Sequence, residues 1–353
     1  MARRQQYIFT EETHRGRGFL IGLLIVLLLA GTFLTVVNFA MNNSVDFTSE
    51  YVTLTKMPAN LDFYILHLSD LNGADVGSSQ SAVKQAIGSS TVSCVVMSGN
   101  MVGESGDPQP VLDLVEVLPK GVPVLLLPGD SDPALYNSSA GSTSALADWA
   151  LTLQQAGVVI LNEPYPVVRE KTTIWFVPEN LYGLDVDANQ ALYQNRLDGL
   201  NAMAGALTPE DEAMKLLCEY QIARMDRIRE SVSQIRQSDV QIAVTHMPLT
   251  RDYVASARKV QREKDVFSMH HVSLVLSGYY CGGQWRLPGL GAVHVPDMGF
   301  FPEDQQITGM SYLDGIYQHI SPGLGASSDY PFMPFRLFNR PGATRLVLTP
   351  NRH

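Results

Sequence analysis

Apolar and polar positions divide the chain into three regimes. Phe19 to Met41 is apolar on every side, and no charge lies between Arg17 and Asp46. About 20 apolar residues span a bilayer core as a helix, so residues 19–41 are predicted to be a transmembrane helix. Apolarity on all faces argues against a buried helix of a soluble protein. A cleaved signal peptide starts in the same order, but its apolar region is about 7–15 residues long and closes on a small-x-small site. Asn38-Phe39-Ala40 matches such a site poorly. Residues 42–60 turn polar and read as a juxtamembrane linker. From Leu61 to residue 353 short apolar runs alternate with turn formers, the pattern of one globular domain.

The run from Phe63 to Leu68, bounded by turn formers, suits a strand buried on both faces. It opens into Ser69-Asp70-Leu71-Asn72-Gly73. Cys94 to Gly99 likewise runs into Asn100, and Val122 to Leu127 runs into Gly129-Asp130-Ser131-Asp132. Helices are predicted between these strands, over Gln80 to Ile87 and Pro110 to Leu118, the second with proline in its first turn. The β-α-β-α-β order predicts a layered α/β sheet. In such sheets ligands bind at the carboxyl ends of the strands, where these acidic and amide side chains fall.

Further along, a helix is expected over Thr143 to Gln155. Short strands follow at Val158–Leu161, Val167–Arg169 and Thr173–Val177. Asp187 to Gln237 reads as helix broken near Thr208-Pro209, with a cap and an acidic first turn after the break. Val240–Thr245 is a strand leading to His246, Arg251–Met269 a helix, and Val272–Ser277 a buried strand leading to Gly278-Tyr279-Tyr280-Cys281. Ala292–Val295, Tyr312–Gln318 and Arg345–Leu348 are the remaining expected strands. His270 and His271 read as surface residues.

Composition narrows the function. The 353 residues are 45% apolar, enough for a large core, and carry a formal charge of −10. Nucleic acid is excluded as a partner, because phosphate-backbone binding needs clustered Lys and Arg that the main body lacks. Cys94, Cys218 and Cys281 lie far apart with no CxxC pair, which argues against a disulfide framework or a zinc knuckle. Arg3, Arg4, Arg15 and Arg17 precede the apolar run. They predict a cytoplasmic N-terminal segment over residues 1–18, with the domain outside the cytoplasm.

Five segments then stand in one order: Ser69 to Gly73, Ser98-Gly99-Asn100, Pro128 to Asp132, Thr245-His246-Met247-Pro248, and Leu276 to Gln284. This order resembles the calcineurin-like metallophosphoesterases, particularly their membrane-anchored bacterial branch. That family reads Asp-x-His, Gly-Asp, Gly-Asn-His-Asp, a lone His and Gly-His-x-His. Phe335-Arg336-Leu337-Phe338-Asn339-Arg340-Pro341 is similar to the branch's closing segment. The resemblance implies a four-layer α/β/β/α sandwich from residue 61 onward, tethered to the cell membrane by a single helix.

In that family the motifs hold two metal ions that activate a water and clamp phosphoryl oxygens. Carried over position by position, only Asp70 and His246 keep the ligand type. Asn72 replaces a histidine, Asn100 the bridging aspartate, Asp130 an asparagine, and Tyr279 and Cys281 the last two histidines. Ser131 stands where the histidine that protonates the leaving group is expected, and Asp132 is left without that partner. A neutral amide cannot compensate two dications as a bridging carboxylate does. A lost general acid is worth about 10²–10⁴ in rate.

The expectation is therefore a pseudoenzyme that binds or scaffolds at the cell envelope, with no cofactor. The alternative is a hydrolase with one divalent ion, zinc or manganese, held among Asp70, Asn100, Asp130, His246 and Cys281. It would act on a phosphorylated lipid or envelope precursor.

Overall fold

The computed structural model describes residues 15–350 apart from 204, 303–305, 331 and 334. Most of the expected cytoplasmic segment, residues 1–14, thus lies outside the described residues. Helix α1 spans Arg15–Asn42, and its stretch Gly18–Asn42 is long and apolar enough to cross a membrane. Its two threonines do not compromise that apolarity. Thr32 Oγ1 donates to Leu28 O and Thr35 Oγ1 to Gly31 O, each at 2.9 Å, so both hydroxyls are satisfied within the helix.

The residues read as linker are not one throughout. Asp46–Leu54 forms strand β1, paired in parallel with the last strand along its whole length. The strand escaped the sequence pattern because it lies at a sheet edge: Val52 and Leu54 are its buried residues, and its first half is polar.

The chain continues as β2 (Phe63–Leu68), α2 (Ser81–Ile87), β3 (Cys94–Ser98), α3 (Gln109–Val117), β4 (Val124–Leu127), α4 (Asp148–Gln155), β5 (Val158–Ile160), β6 (Tyr165–Arg169) and β7 (Thr172–Pro178). After α5 (Val186–Asn201) and α6 (Pro209–Gln234) come β8 (Val240–Val244), α7 (Arg251–Val260) and β9 (Val272–Ser277). Two short ribbons follow, β10 (Arg286–Leu287) with β11 (Gly291–Ala292), and β12 (His294–Val295) with β13 (Gly299–Phe300). β14 (Gly309–Leu313), β15 (Ile316–Ile320) and β16 (Gly342–Pro350) close the chain.

Two six-stranded mixed sheets result, in the orders β1-β16-β2-β3-β4-β5 and β14-β15-β9-β8-β7-β6. β2 to β5 are parallel neighbours, as are β15, β9, β8 and β7. Alternation along β2 sorts its side chains into two cores. Phe63 and Ile65 join Phe176, Ile242 and Leu274 of the second sheet, while Leu66 and Leu68 join Val83, Leu114 and Leu153 from α2, α3 and α4. The other face of the second sheet packs Trp175 and Val275 against Met225 and Ile228 of α6 and Val254 of α7.

Three expected elements differ. Ala292–Val295 is split between β11 and β12, which pair with different strands. Tyr312–Gln318 is a hairpin rather than one strand: Asp314 and Gly315, at φ 43° and 94°, turn β14 back onto β15. Helix α7 stops at Val260 rather than Met269, because the Gln261 side chain takes over. Its Nε2 donates to Tyr182 O at 2.7 Å and its Oε1 accepts from Met269 N at 2.6 Å. His270 and His271 are half-buried, each donating Nε2–H to a backbone carbonyl of the preceding segment at 2.9 Å.

Candidate functional site

The tips of β2, β3, β4, β8 and β9 meet at one edge, tied by backbone bonds. Asp70 N donates to Gly99 O at 3.0 Å, Asn72 N to Asn100 O at 2.7 Å, and Gly278 N to His246 O at 2.9 Å. The turns that achieve this are unusual. Asp70, Asn72, Asn100, Tyr279 and Cys281 all take positive φ, between 46° and 82°. Such conformations cluster where surrounding structure holds a functional geometry in place. Gly99 is required for a different reason: a Cβ there would lie 2.2 Å from His246 Nδ1.

Asp70 and His246 come together. The Asp70 carboxyl is fully buried; Ser69 Oγ donates to its Oδ2 at 2.5 Å and Tyr279 N at 3.0 Å. Its Oδ1 has no hydrogen-bond partner and lies 3.8 Å from His246 Nε2, which has none either. His246 Nδ1 donates to Ser98 O at 2.9 Å, since a carbonyl can only accept, which aims Nε2 at Asp70. Burial pushes the Asp70 carboxyl above the usual carboxylate range, against the opposing pull of His246. Neither facing atom is engaged by any other described residue.

The other candidate residues are occupied differently. The buried Asn100 spends its amide on Ser131: Oδ1 accepts from Ser131 N at 2.8 Å, and Nδ2 donates to Ser131 Oγ at 3.3 Å. Asp132 is not left without a partner. Its carboxylate accepts from Val102 N and Gly103 N at 2.8 Å, Gly129 N at 2.8 Å and Met101 N at 3.3 Å, stitching the loop after β3 to the loop after β4. Asn72 is half-buried and its Nδ2 donates to Asp70 O within its own loop, at 3.4 Å.

Cys281 is fully buried beside Tyr330 and Met333, and burial, with Asp70 nearby, drives its thiol well above the ordinary value. It is held as a packed thiol. Tyr279 stands edge-on to His246, with ring centroids 5.6 Å apart, and donates its hydroxyl to Asp297 at 3.3 Å. Partial burial, then Asp297, Asp329 and Asp130, push that phenol up to about 12.

Asp130 is exposed and lines a cavity of about 250 Å³ with His246 and Glu179. Sequence reasoning passed over Glu179, although it directly follows β7 and so ends a strand at the same edge. Tyr253 OH donates to it, and burial raises its carboxyl above the usual range. Arg336 was singled out only as part of the closing segment. Its guanidinium is buried and donates to the carbonyls of Pro322, Gly325, Asn339 and Arg340 at 2.8–3.1 Å, close enough to Asp70 and Cys281 to interact with both electrostatically.

These donors do not fit a binuclear metal centre. Among the described residues no three His, Cys, Asp or Glu side chains gather where they could hold an ion. The amide at the bridging position is consumed by Ser131. The exposed Asp130, Asp297 and Asp329 around Tyr279 make the mouth acidic, so a phosphate entering without a counter-charge is repelled.

No family model matches the chain, and no curated protein does. Among solved structures it is similar to phosphopantetheinyl hydrolase from Mycobacterium tuberculosis, with 15% identity, TM-score 0.37, and coverage of 78% of this chain and 95% of that one. It is also similar to vacuolar protein sorting 29 from Cryptosporidium parvum, with 12% identity, TM-score 0.28, and coverage of 78% and 83%. Both have calcineurin-like metallophosphoesterase folds. Similarity at this level assigns no residue a role.

Proposed function

We propose that the chain is a membrane-anchored domain built on the four-layer α/β/β/α metallophosphoesterase plan, and that it binds a ligand or partner at the cell envelope without hydrolysing it. α1 anchors it in the cell membrane, with the N-terminus in the cytoplasm and the domain outside. One observation carries the reading. Side chains at positions where the resembling family binds metal and substrate are spent on holding the strand tips, with Asn100 on Ser131 and Asp132 on four backbone amides. What stays unpaired among the strand tips is the buried Asp70–His246 couple.

That couple also favours a second reading, in which one divalent ion, zinc or manganese, supports hydrolysis of a phosphorylated lipid or envelope precursor. Metal analysis of the purified full chain, with bis-p-nitrophenyl phosphate turnover in added Mn²⁺ or Zn²⁺, separates the two. The binding reading expects no turnover. Turnover with bound stoichiometric metal, abolished in Asp130→Ala, would overturn it.

A further inference from the structure

The depth at which α1 leaves the membrane can be worked out from its sequence, and the domain is hydrogen-bonded to the helix at that depth. A hydrocarbon core of about 30 Å takes up about 20 helical residues. Counted from Phe19, the first large apolar residue after Arg17, twenty residues end at Asn38. Asn38 Nδ2 and Asn42 Nδ2 both donate to Arg336 O, at 3.0 and 2.9 Å, and Phe338 N donates to Asn38 Oδ1 at 3.0 Å. β1 begins at Asp46, so few residues remain to let the domain swing away. The segment around Arg336 is therefore fixed at the boundary between hydrocarbon and headgroups.

The side chains beside that segment suit the boundary. Trp285 donates Nε1–H to Phe335 O at 2.7 Å and packs against the Phe335 ring at 5.5 Å, one residue before Arg336. Phe335 is 46% exposed and Phe332 88%, an expense in water that an interfacial layer removes. A cavity of about 600 Å³ brings Met41 of α1 together with Phe338 and Arg286, and with Arg340, which pairs with Asp46 at 3.1 Å; Glu50 also lines it. Exposed aromatic rings beside the end of an apolar helix match the aromatic belt of a bilayer interface.

We propose that Trp285, Phe332 and Phe335 form a seat inserted in the outer headgroup layer, so that the domain rests on the lipid surface instead of hanging from a tether. Arg336 joins this seat to the cleft: its carbonyl takes the two asparagines of α1, and its guanidinium lies beside Asp70 and Cys281. The cleft is thereby held against lipid headgroups. This rests on the anchor reading above.

The test uses the full chain in phosphatidylcholine nanodiscs containing nitroxide-labelled phosphatidylcholine, with the label on the headgroup or at acyl carbon 5 or 12. Trp149 and Trp175 are buried in the domain core, 6% and 3% exposed, and serve as the unquenched background. The expected result is loss of the Trp285 emission component with the headgroup and carbon-5 labels, less loss with carbon 12, and none of this in Trp285→Phe. Phe332→Asp, at a position exposed enough to leave folding intact, is expected to weaken the quenching. A chain retained in nanodiscs whose quenching matches that of Trp285→Phe overturns the seat and leaves the anchor standing. A chain that does not enter nanodiscs overturns both.

Discussion

His67 and His319 face each other between the two sheets, and acid should unfold the domain through them. Both are fully buried, with their Nδ1 atoms 2.7 Å apart, and His67 Nε2 lies 2.8 Å from Ser98 Oγ. One protonation pattern satisfies three of the four ring nitrogens and leaves His319 Nε2–H without a hydrogen-bond partner. Ser98 Oγ–H donates to His67 Nε2, His67 Nδ1–H donates to His319 Nδ1, and His319 Nε2–H points at Glu50 Oε1, 3.8 Å away. The pair is neutral: burial lowers His67 well below its ordinary value and pushes His319 down to about 3.

An unfolded histidine titrates near 6.5. Between 6.5 and about 3 the unfolded chain therefore binds more protons at these sites than the folded one, and stability falls as pH falls. At pH 5, about 1.5 units below the unfolded value, His319 alone removes about 2 kcal/mol, at 1.36 kcal/mol per unit. The raised carboxyls of Asp70, Glu50 and Glu179 act in the opposite sense, because the folded state holds their protons and loses stability as pH rises through their folded values. A difference measurement removes them.

Thermal unfolding of the detergent-solubilised chain, followed by tryptophan emission at pH 7 and pH 5, should be compared with His319→Asn, which keeps an acceptor near the Nδ1 position. The native protein should lose about 2 kcal/mol more than the variant over that interval, about 3 °C in midpoint for a domain of this size. Parallel pH profiles would refute the argument.

Three further outcomes follow from single contacts. Gly325→Ala places a Cβ 2.1 Å from Leu71 O, a backbone atom that cannot move aside, and should cost roughly 2–4 kcal/mol in denaturant unfolding. Asp132→Ala strands the four amides that the carboxylate accepts from; a loss of at least ~3 kcal/mol is expected, read from the urea midpoint, because each buried unpaired donor costs about 1–3 kcal/mol. Thr208→Ala removes the reciprocal cap in which Thr208 Oγ1 accepts from Asp211 N and Asp211 accepts from Thr208 N. It should cost about 1 kcal/mol and speed hydrogen exchange in the first turn of α6.

What the sequence showed and what it concealed divide along a physical line. Buried strands such as β2, β3, β4 and β9 announce themselves, because both faces are apolar and the run ends in turn formers. β1 did not: an edge strand with a polar outer half carries no such run, and only its partner β16, some 290 residues away, makes it a strand. The β14–β15 turn was written in Asp314-Gly315, a strong hairpin signal, but apolar residues on both sides masked it. Residue types at the strand tips were legible too.

Partners of the replaced residues were not legible. By the resemblance Asn100 looks like a ligand stripped of its chemistry and Asp132 like a carboxylate without its histidine, yet a buried polar side chain must find a partner or destabilise the fold by about 1–3 kcal/mol. The backbone amides of neighbouring loops supplied the substitute. That requirement explains why the side chains of Asn100 and Asp132 turn inward, and under the reading proposed above it leaves Asp70 and His246, whose facing atoms have no partner among the described residues, as the pair a ligand would engage.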